Sequence, residues 1–467
     1  MVRLVITVLM LAMAFAGCGT SGYEPPRKPP PRTPAPLQPL RPLTSNPRYF
    51  TDGRGEAVYL TGFHTWSNLV DRGETLPPPR FDYARYLDRL QRYGHNFIRL
   101  WAWELPQYVS EGKTWHTAPQ PWLRSGRGDA QDGLPKFDLS RFNKRYFQRL
   151  RERVEAANAR RIYVSVMLFE GWEASFAESP LLWRAHPTHA GNNVNEIAAD
   201  LDRDGHGLEY FTLSNRDVLA VQRTYVRRVV EAVGDLPNVL FEVANEAEHT
   251  STAWQLEMMR TVRRELARRG PSRPVGMTFQ HGGSDETLYR GPADWVSPGS
   301  HDFGSDPPLA DSRKISLLDT DHVCGVCGDR GFVWESFLRG YNVIFMDDLS
   351  STPAYEDARV AMGWTLAYAD RLNLARMEPR TDLASTRYCL ADEGAEYLVY
   401  QPTSGPFTLR LRPARRYSIE WFRPSDGRAW RPRQIRVGGT TTFRPPFAGE
   451  AVLYVRAASS SRSRPTS

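Results

Sequence analysis

At 467 residues the chain has room for a barrel-sized core, which takes about 250 residues or more, and for a smaller second unit. The net charge of +7 is carried by arginine: only five of the 60 basic residues are lysines, and the arginines are spread without a long basic run. That spread argues against a dedicated nucleic-acid surface and leaves guanidiniums on solvated helix faces as the ordinary reading.

In chain order, Arg3 precedes an apolar stretch over 4–16 and then Gly17-Cys18-Gly19. This is an export signal, since the stretch is too short to cross a bilayer as a mature helix. Phe15-Ala16-Gly17-Cys18 resembles the bacterial lipoprotein cleavage box, with Phe where Leu is usual. The resemblance implies loss of residues 1–17, lipid on the Cys18 thiol and attachment to a membrane of the cell envelope; Gly19 in place of Asp implies outer-membrane sorting. Residues 18–45 are rich in proline (Pro25, Pro26, Pro29, Pro30, Pro31, Pro34, Pro36) and read as an extended spacer without a core. At the far end, 458–467 is Ser/Arg-rich and reads as a disordered tail.

From 46 to 376, short apolar runs alternate with helical spacing, the signature of βα units. The runs are 58–62, 96–101, 162–168, 239–244, 275–279, 295–298, 315–318 and 341–346. Between them, Tyr83, Leu87 and Leu90 precede a stop at Gly94, Phe142, Tyr146, Leu150 and Val154 share a face, and Val226, Val229, Val230 and Val233 end at Gly234. Eight such units predict an α/β fold, a (β/α)8 TIM barrel. After it, 395–401, 407–411, 417–422 and 451–455 alternate between Pro, Gly and Asp turns, which predicts a small antiparallel β-sandwich over 384–457. Cys324 and Cys327 are spaced to close a small disulfide loop in an exported protein, and Cys389 reads as a buried strand thiol.

The chemistry gathers where the runs end. The fourth run finishes in Asn245 and Glu246, a pair that a buried strand has no use for but that the mouth of a parallel barrel does. The same end of the other runs offers His64 and Trp66, then Arg99, Trp101 and Trp103, then Glu170, then His281, then His301, then Asp319, Asp321 and His322. Tryptophans beside carboxylates suit a sugar, whose apolar face stacks on rings while its hydroxyls need acceptors and amides. Glycoside hydrolysis needs two carboxyl groups flanking the bond. Glu246 is the candidate acid, and Asp321, with Asp319 close behind, the second carboxylate. Arg99 is placed to hold that second group ionised, and Asn245 to bind a sugar hydroxyl. A hydrolytic metal site from Asp319, Asp321, His322, His301 and His281 is the weaker reading, because the first run has a lone His64 and no His-x-His; no metal or cofactor is expected.

At these residues the chain resembles the barrel glycoside hydrolases of clan A, and within them the apiosidase-like proteins that carry a small C-terminal "putative collagen-binding" domain. The resemblance rests on Asn46-Pro47-Arg48-Tyr49-Phe50, Leu60-Thr61-Gly62-Phe63-His64-Thr65-Trp66, Asn96-Phe97-Ile98-Arg99-Leu100-Trp101, Asn192-Asn193-Val194-Asn195, Asn245-Glu246, Asp319-Thr320-Asp321-His322 and Phe337-Leu338-Arg339-Gly340. In the second unit it rests on Tyr417-Ser418-Ile419-Glu420-Trp421-Phe422, Pro445-Pro446-Phe447 and Val452-Leu453-Tyr454. It implies a surface-anchored glycoside hydrolase acting on a polysaccharide or oligosaccharide, with Asn193 among the substrate-binding residues. Clan A enzymes use Glu on strand seven where this chain has Asp, so retaining and inverting courses are both open. The alternative is a non-catalytic glycan- or matrix-binding lipoprotein on the same scaffold.

Overall fold

The structure, a computed structural model, describes residues 36–110, 112–172, 182–300, 303 and 306–458. Eight parallel strands form the centre: β1 (Gly62–His64), β2 (Phe97–Leu100), β3 (Tyr163–Glu170), β4 (Val239–Asn245), β5 (Val275–Thr278), β6 (Trp295–Ser297), β7 (Ile315–Asp319) and β8 (Asn342–Met346). Successive strands pair from β2 to β8, and β8 pairs back onto β1. The β1–β2 seam is closed by the Asn96 amide donating to the Thr61 carbonyl (3.1 Å) and the Thr61 amide donating to Asn96 Oδ1 (2.9 Å). One backbone bond and one to the Asn96 side chain thus stitch what the ladder leaves open.

Helices cover the outside: α1 (Tyr83–Tyr93), α2 (Lys144–Ala159), α3 (Arg216–Val233), α4 (Thr252–Ala267), α5 (Asp285–Arg290), α6 (Arg330–Leu338) and α7 (Pro353–Ala369). In α1, Tyr83, Tyr86, Leu87 and Leu90 recur at helical spacing and are buried, Asp82 caps the first turn, and Gly94 ends the helix at φ 77°. The first strand begins later than the apolar run at 58–62 predicts. Leu60 and Thr61 spend their amides on Asn342 Oδ1 and Asn96 Oδ1 instead of on a ladder.

The floor of the barrel corrects the reading of 18–45 as spacer throughout. Leu37 and Leu40 are buried with Phe50, Phe97, Leu240, Trp295, Ile315 and Ile344 in one apolar cluster, and Arg41–Pro42 pairs with Phe50–Thr51. Proline-rich composition lacks a core of its own, but leucines within it plug another.

Antiparallel strands inserted on the mouth side were not foreseen. Asp71–Gly73 pairs with Lys113–Ala118, which pairs with Gln107–Ser110, and Trp122–Asp129 pairs with Pro135–Phe142. They raise a wall beside β1 and β2.

The C-terminal unit is an antiparallel sheet containing β9 (Cys389–Asp392), β10 (Glu396–Gln401), β11 (Phe407–Arg423), β12 (Arg433–Phe443) and β13 (Ala451–Ala457). The runs 407–411 and 417–422 are one long strand, with a register shift between Leu411 and Arg415. Alternation divides β9, β10, β11 and β13 between two cores. Tyr397, Val399, Ile419, Leu453 and Val455 face the unit's own core, whereas Leu398, Tyr400, Phe422, Val452 and Tyr454 join the barrel's. There Trp334 of α6 stacks on Tyr400, and Arg371 grips Glu420 through two 3.0 Å bonds. Cys389 is a buried thiol, and Cys324 and Cys327 form a disulfide.

Candidate active site

Arg99 on β2 is the hub of the barrel mouth. Its Nε donates to Glu242 Oε2 (2.9 Å), its Nη2 to Glu242 Oε1 (2.5 Å) and Asn245 Oδ1 (2.8 Å), and its Nη1 to Asp319 Oδ2 (2.8 Å) and Asp321 Oδ2 (3.1 Å). Burial opposes the guanidinium charge, but Glu242 first and then Asp319 outweigh it and hold the pKa well above the usual value. Glu242 was missed in the sequence. Its signal was there, an acid in the middle of the apolar β4, which a core tolerates only when paired.

The two strand-seven aspartates divide their roles. Asp319 accepts from His64 Nε2 at 3.0 and 2.9 Å, from Arg99, and from the backbone amide of Asp321 (3.1 Å). Burial alone would raise its pKa, but His64 and then Arg99 outweigh burial and hold the carboxyl below the usual range. Asp321 lies one turn on, in the 3-10 turn Thr320–His322, and opens into the cleft. Burial raises its pKa to about 6; Asp319 adds to the rise and Arg99 opposes it.

Glu246 follows β4 with φ at 44°, a left-handed conformation that costs a non-glycine residue about 1–3 kcal/mol and recurs at functional sites. Burial, then Asp321, then Glu170 push its carboxyl well above the usual range, which favours the protonated form. Glu170 at the end of β3 is itself buried, and burial raises its pKa strongly. It accepts from Asn245 Nδ2 (3.1 Å) and the Trp172 amide (3.1 Å). Gly171 is needed here: a Cβ would meet Ala247 backbone atoms at 2.4 and 2.6 Å, so only glycine lets the ends of β3 and β4 come this close.

His322 fixes Asn245 from the other side. Asn245 Oδ1 only accepts, so His322 Nε2 carries the proton in their 2.9 Å bond, and Nδ1 accepts from the Ser297 hydroxyl (2.7 Å). Burial, with Arg99 nearby, keeps this imidazole neutral.

Above these groups lies a cleft of about 340 Å3. Glu246 and Asp321 open onto it, and so do Trp66, Trp101, Trp103 and Trp172. Trp101 stacks on His64, with ring centroids 5.6 Å apart, and the Trp103 indole N–H donates to the Trp66 carbonyl (2.8 Å). The inserted strands add Arg72, Tyr108 and Trp115, which the sequence reading did not place.

Several expected contacts fall elsewhere. Asn245 is fully buried and spent on Arg99, His322 and Glu170, so it orients the acid's neighbours and does not line the cleft. Arg99, His64 and His322 are likewise buried beneath the cleft and off its lining. Asn193 is buried and off the cleft lining: its amide donates to the carbonyls of Pro187, His189 and Ile197 and shapes its own loop. His281 packs against Phe279 beside the mouth, off the cleft lining. His301 and Cys18 lie outside the described residues.

Two sequence families match parts of the chain. A domain of unknown function, DUF6298, matches residues 109–253, from the inserted strands through Glu246, and one described as "Putative collagen-binding domain of a collagenase" matches residues 380–453. Comparison with curated proteins finds no match. Among solved structures, a family 5 glycoside hydrolase from Bacteroides vulgatus superposes with a TM-score of 0.55 at 12% identity, over 90% of this chain and 93% of that one. A second Bacteroides vulgatus structure, described as a "putative glycoside hydrolase", gives 0.56 at 14% identity over 90% and 83%. Another solved structure, described as "Glycoside hydrolase", gives 0.53 at 12% over 90% and 97%. The chain is similar in fold to all three, and its structural neighbours are glycoside hydrolases.

Proposed function

We propose that this protein hydrolyses glycosidic bonds, with Glu246 as the general acid and Asp321 as the second carboxylate. One observation carries the reading: of the mouth's acids among the described residues, these two alone open onto the aromatic cleft, while Glu242, Asp319 and Glu170 are buried and off its lining. Their environments also separate them. Glu246 holds a proton to give to the leaving oxygen, while Asp321, drawn toward ionisation by Arg99, serves as nucleophile or as base toward water. Asp319 and His64 are positioning residues, since they hold Arg99 and the turn that carries Asp321. An aspartate is one methylene shorter than the clan A glutamate and leaves more room for a water, which favours inversion; the anomer released in the first turnover decides the course.

The test is a panel of aryl glycosides and polysaccharides, with an apiosyl glycan included because of the apiosidase-like motifs. Turnover that vanishes in both Glu246→Gln and Asp321→Asn supports the assignment, and undiminished turnover in either overturns it. Lipid anchoring through Cys18 to the outer membrane is part of the same proposal, supported by residues 1–19 alone. Radiolabelled palmitate incorporated by the wild type and lost in Cys18→Ala checks it.

A further inference from the structure

The cleft contains one feature that a neutral sugar does not call for. Arg72, in the inserted strand Asp71–Gly73, is half-buried and lines the same cavity as Glu246 and Asp321. Its guanidinium lies 3.7 Å from the centroid of Trp115 and within 5.3 to 5.8 Å of Trp66, Tyr108 and Trp103. Nε donates to the Tyr108 hydroxyl. Among the described residues no carboxylate pairs with Arg72, and neither Nη group makes a hydrogen bond. Its neighbour Asp71 faces away and pairs with Arg149 at 2.9 Å. Lys113, on the adjoining strand, is occupied by Glu74 at 2.7 Å on the rim.

A guanidinium stacked on rings keeps its edge free, and that edge is a planar fork that fits two oxygens of one anion. Caging by four aromatic side chains and tethering by Tyr108 fix the fork before any ligand arrives, which lowers the ordering cost of binding. The other two titratable groups lining the cleft beside the tyrosine, Glu246 and Asp321, are acids, so Arg72 is the one cation among the described lining residues that could hold an anionic ligand. We infer that Arg72 is a specificity residue that receives an anionic substituent, a carboxylate or a sulfate ester, on a sugar bound in this cleft, while the surrounding rings take the sugar's apolar face. This rests on the hydrolase reading for the identity of the ligand as a glycan.

The test measures binding to an array of oligosaccharides in matched sets, each backbone present in neutral, carboxylated and sulfated form, with the Glu246→Gln protein so that nothing is turned over. The expected result is binding to anionic members at about tenfold or more above their neutral counterparts, weakened by salt. In Glu246→Gln/Arg72→Met, which keeps an apolar stem on the rings, that preference falls to about unity, and Arg72→Lys restores only part of it, because an ammonium lacks the fork. The carboxylated and sulfated arms separate the two sources of the anion. Binding to neutral members alone, binding to none, or an anionic preference that survives Arg72→Met overturns the inference. The two readings fail separately: turnover of neutral glycans without anionic preference sinks this one alone, and Arg72-dependent anionic binding by a wild type that hydrolyses nothing sinks only the hydrolase reading.

Discussion

The two ends of the same eight strands are built on opposite principles. At the floor, Leu240, Trp295, Ile315 and Ile344 meet Leu37, Leu40 and Phe50, and the cluster is apolar throughout. At the mouth, a few residues further along the same strands, one arginine holds Glu242, Asp319, Asp321 and Asn245, with His64 and His322 bracketing the set. The floor has no chemistry to offer, and the mouth spends stability on charges and on the left-handed backbone at Glu246. The difference teaches that fold and function are separable here, so substitutions at the two ends should fail in different ways.

The largest expected effect is at the mouth. Glu246→Gln or Asp321→Asn lowers kcat by about 100- to 10,000-fold, the weight of a positioned acid or base, with the melting temperature kept or raised. A fall in both quantities together would assign these residues a structural role. Next is Arg99→Met, which strands Glu242 as an unpaired buried charge, leaves Asp319 to His64 and the Asp321 amide and costs about 3–5 kcal/mol in chemical denaturation. A smaller loss would mean that water reaches those carboxylates. Leu40→Ala at the floor removes about 2–5 kcal/mol of stability by leaving a cavity, yet kcat per folded molecule stays at the wild-type value. A matching fall in kcat would erase the contrast between the two ends.

Two subtler outcomes concern protons. The folded state raises the Glu246 pKa above its unfolded value, so its contribution favours folding below the unfolded pKa and is lost as pH rises toward the folded one. Thermal melts of Glu246→Gln should therefore gain on the wild type at pH 8 more than at pH 5, where both side chains are neutral. The acid limb of kcat/KM should fall with an apparent pKa of about 6 as Asp321 takes up a proton, and the alkaline limb should report loss of the Glu246 proton. Loss of the acid limb in Asp319→Asn but not in Asp321→Asn would exchange the roles of the two aspartates.

The legibility of the sequence follows the same division. Short continuous apolar runs made the barrel strands visible, and the polar residues in and after them marked Arg99, Glu246 and Asp321 without any structure. The choice between Asp319 and Asp321 was not visible, since side chains two apart in an extended segment share a face; the 3-10 turn after β7 breaks that equivalence. Asn245 was read as a ligand contact because amides suit sugars, and Asn193 because the resemblance implied it, but an amide suits a neighbouring carboxylate or carbonyl equally well. The inserted strands that carry Arg72, Tyr108 and Trp115 show no clean period, because pairing across 71–118 determines them.

By itself the sequence determined the eight βα units, the antiparallel unit after them and the polar rim of the mouth, because hydrophobic periodicity is local and each strand carries its own. Only the tertiary structure decided which acids face the cleft and which are buried, that a leucine-bearing spacer plugs the floor, and that an arginine 27 residues before Arg99 stands among the tryptophans of the site. Those outcomes depend on which surfaces meet. The meeting is set by packing across the whole barrel, which no window along the chain contains.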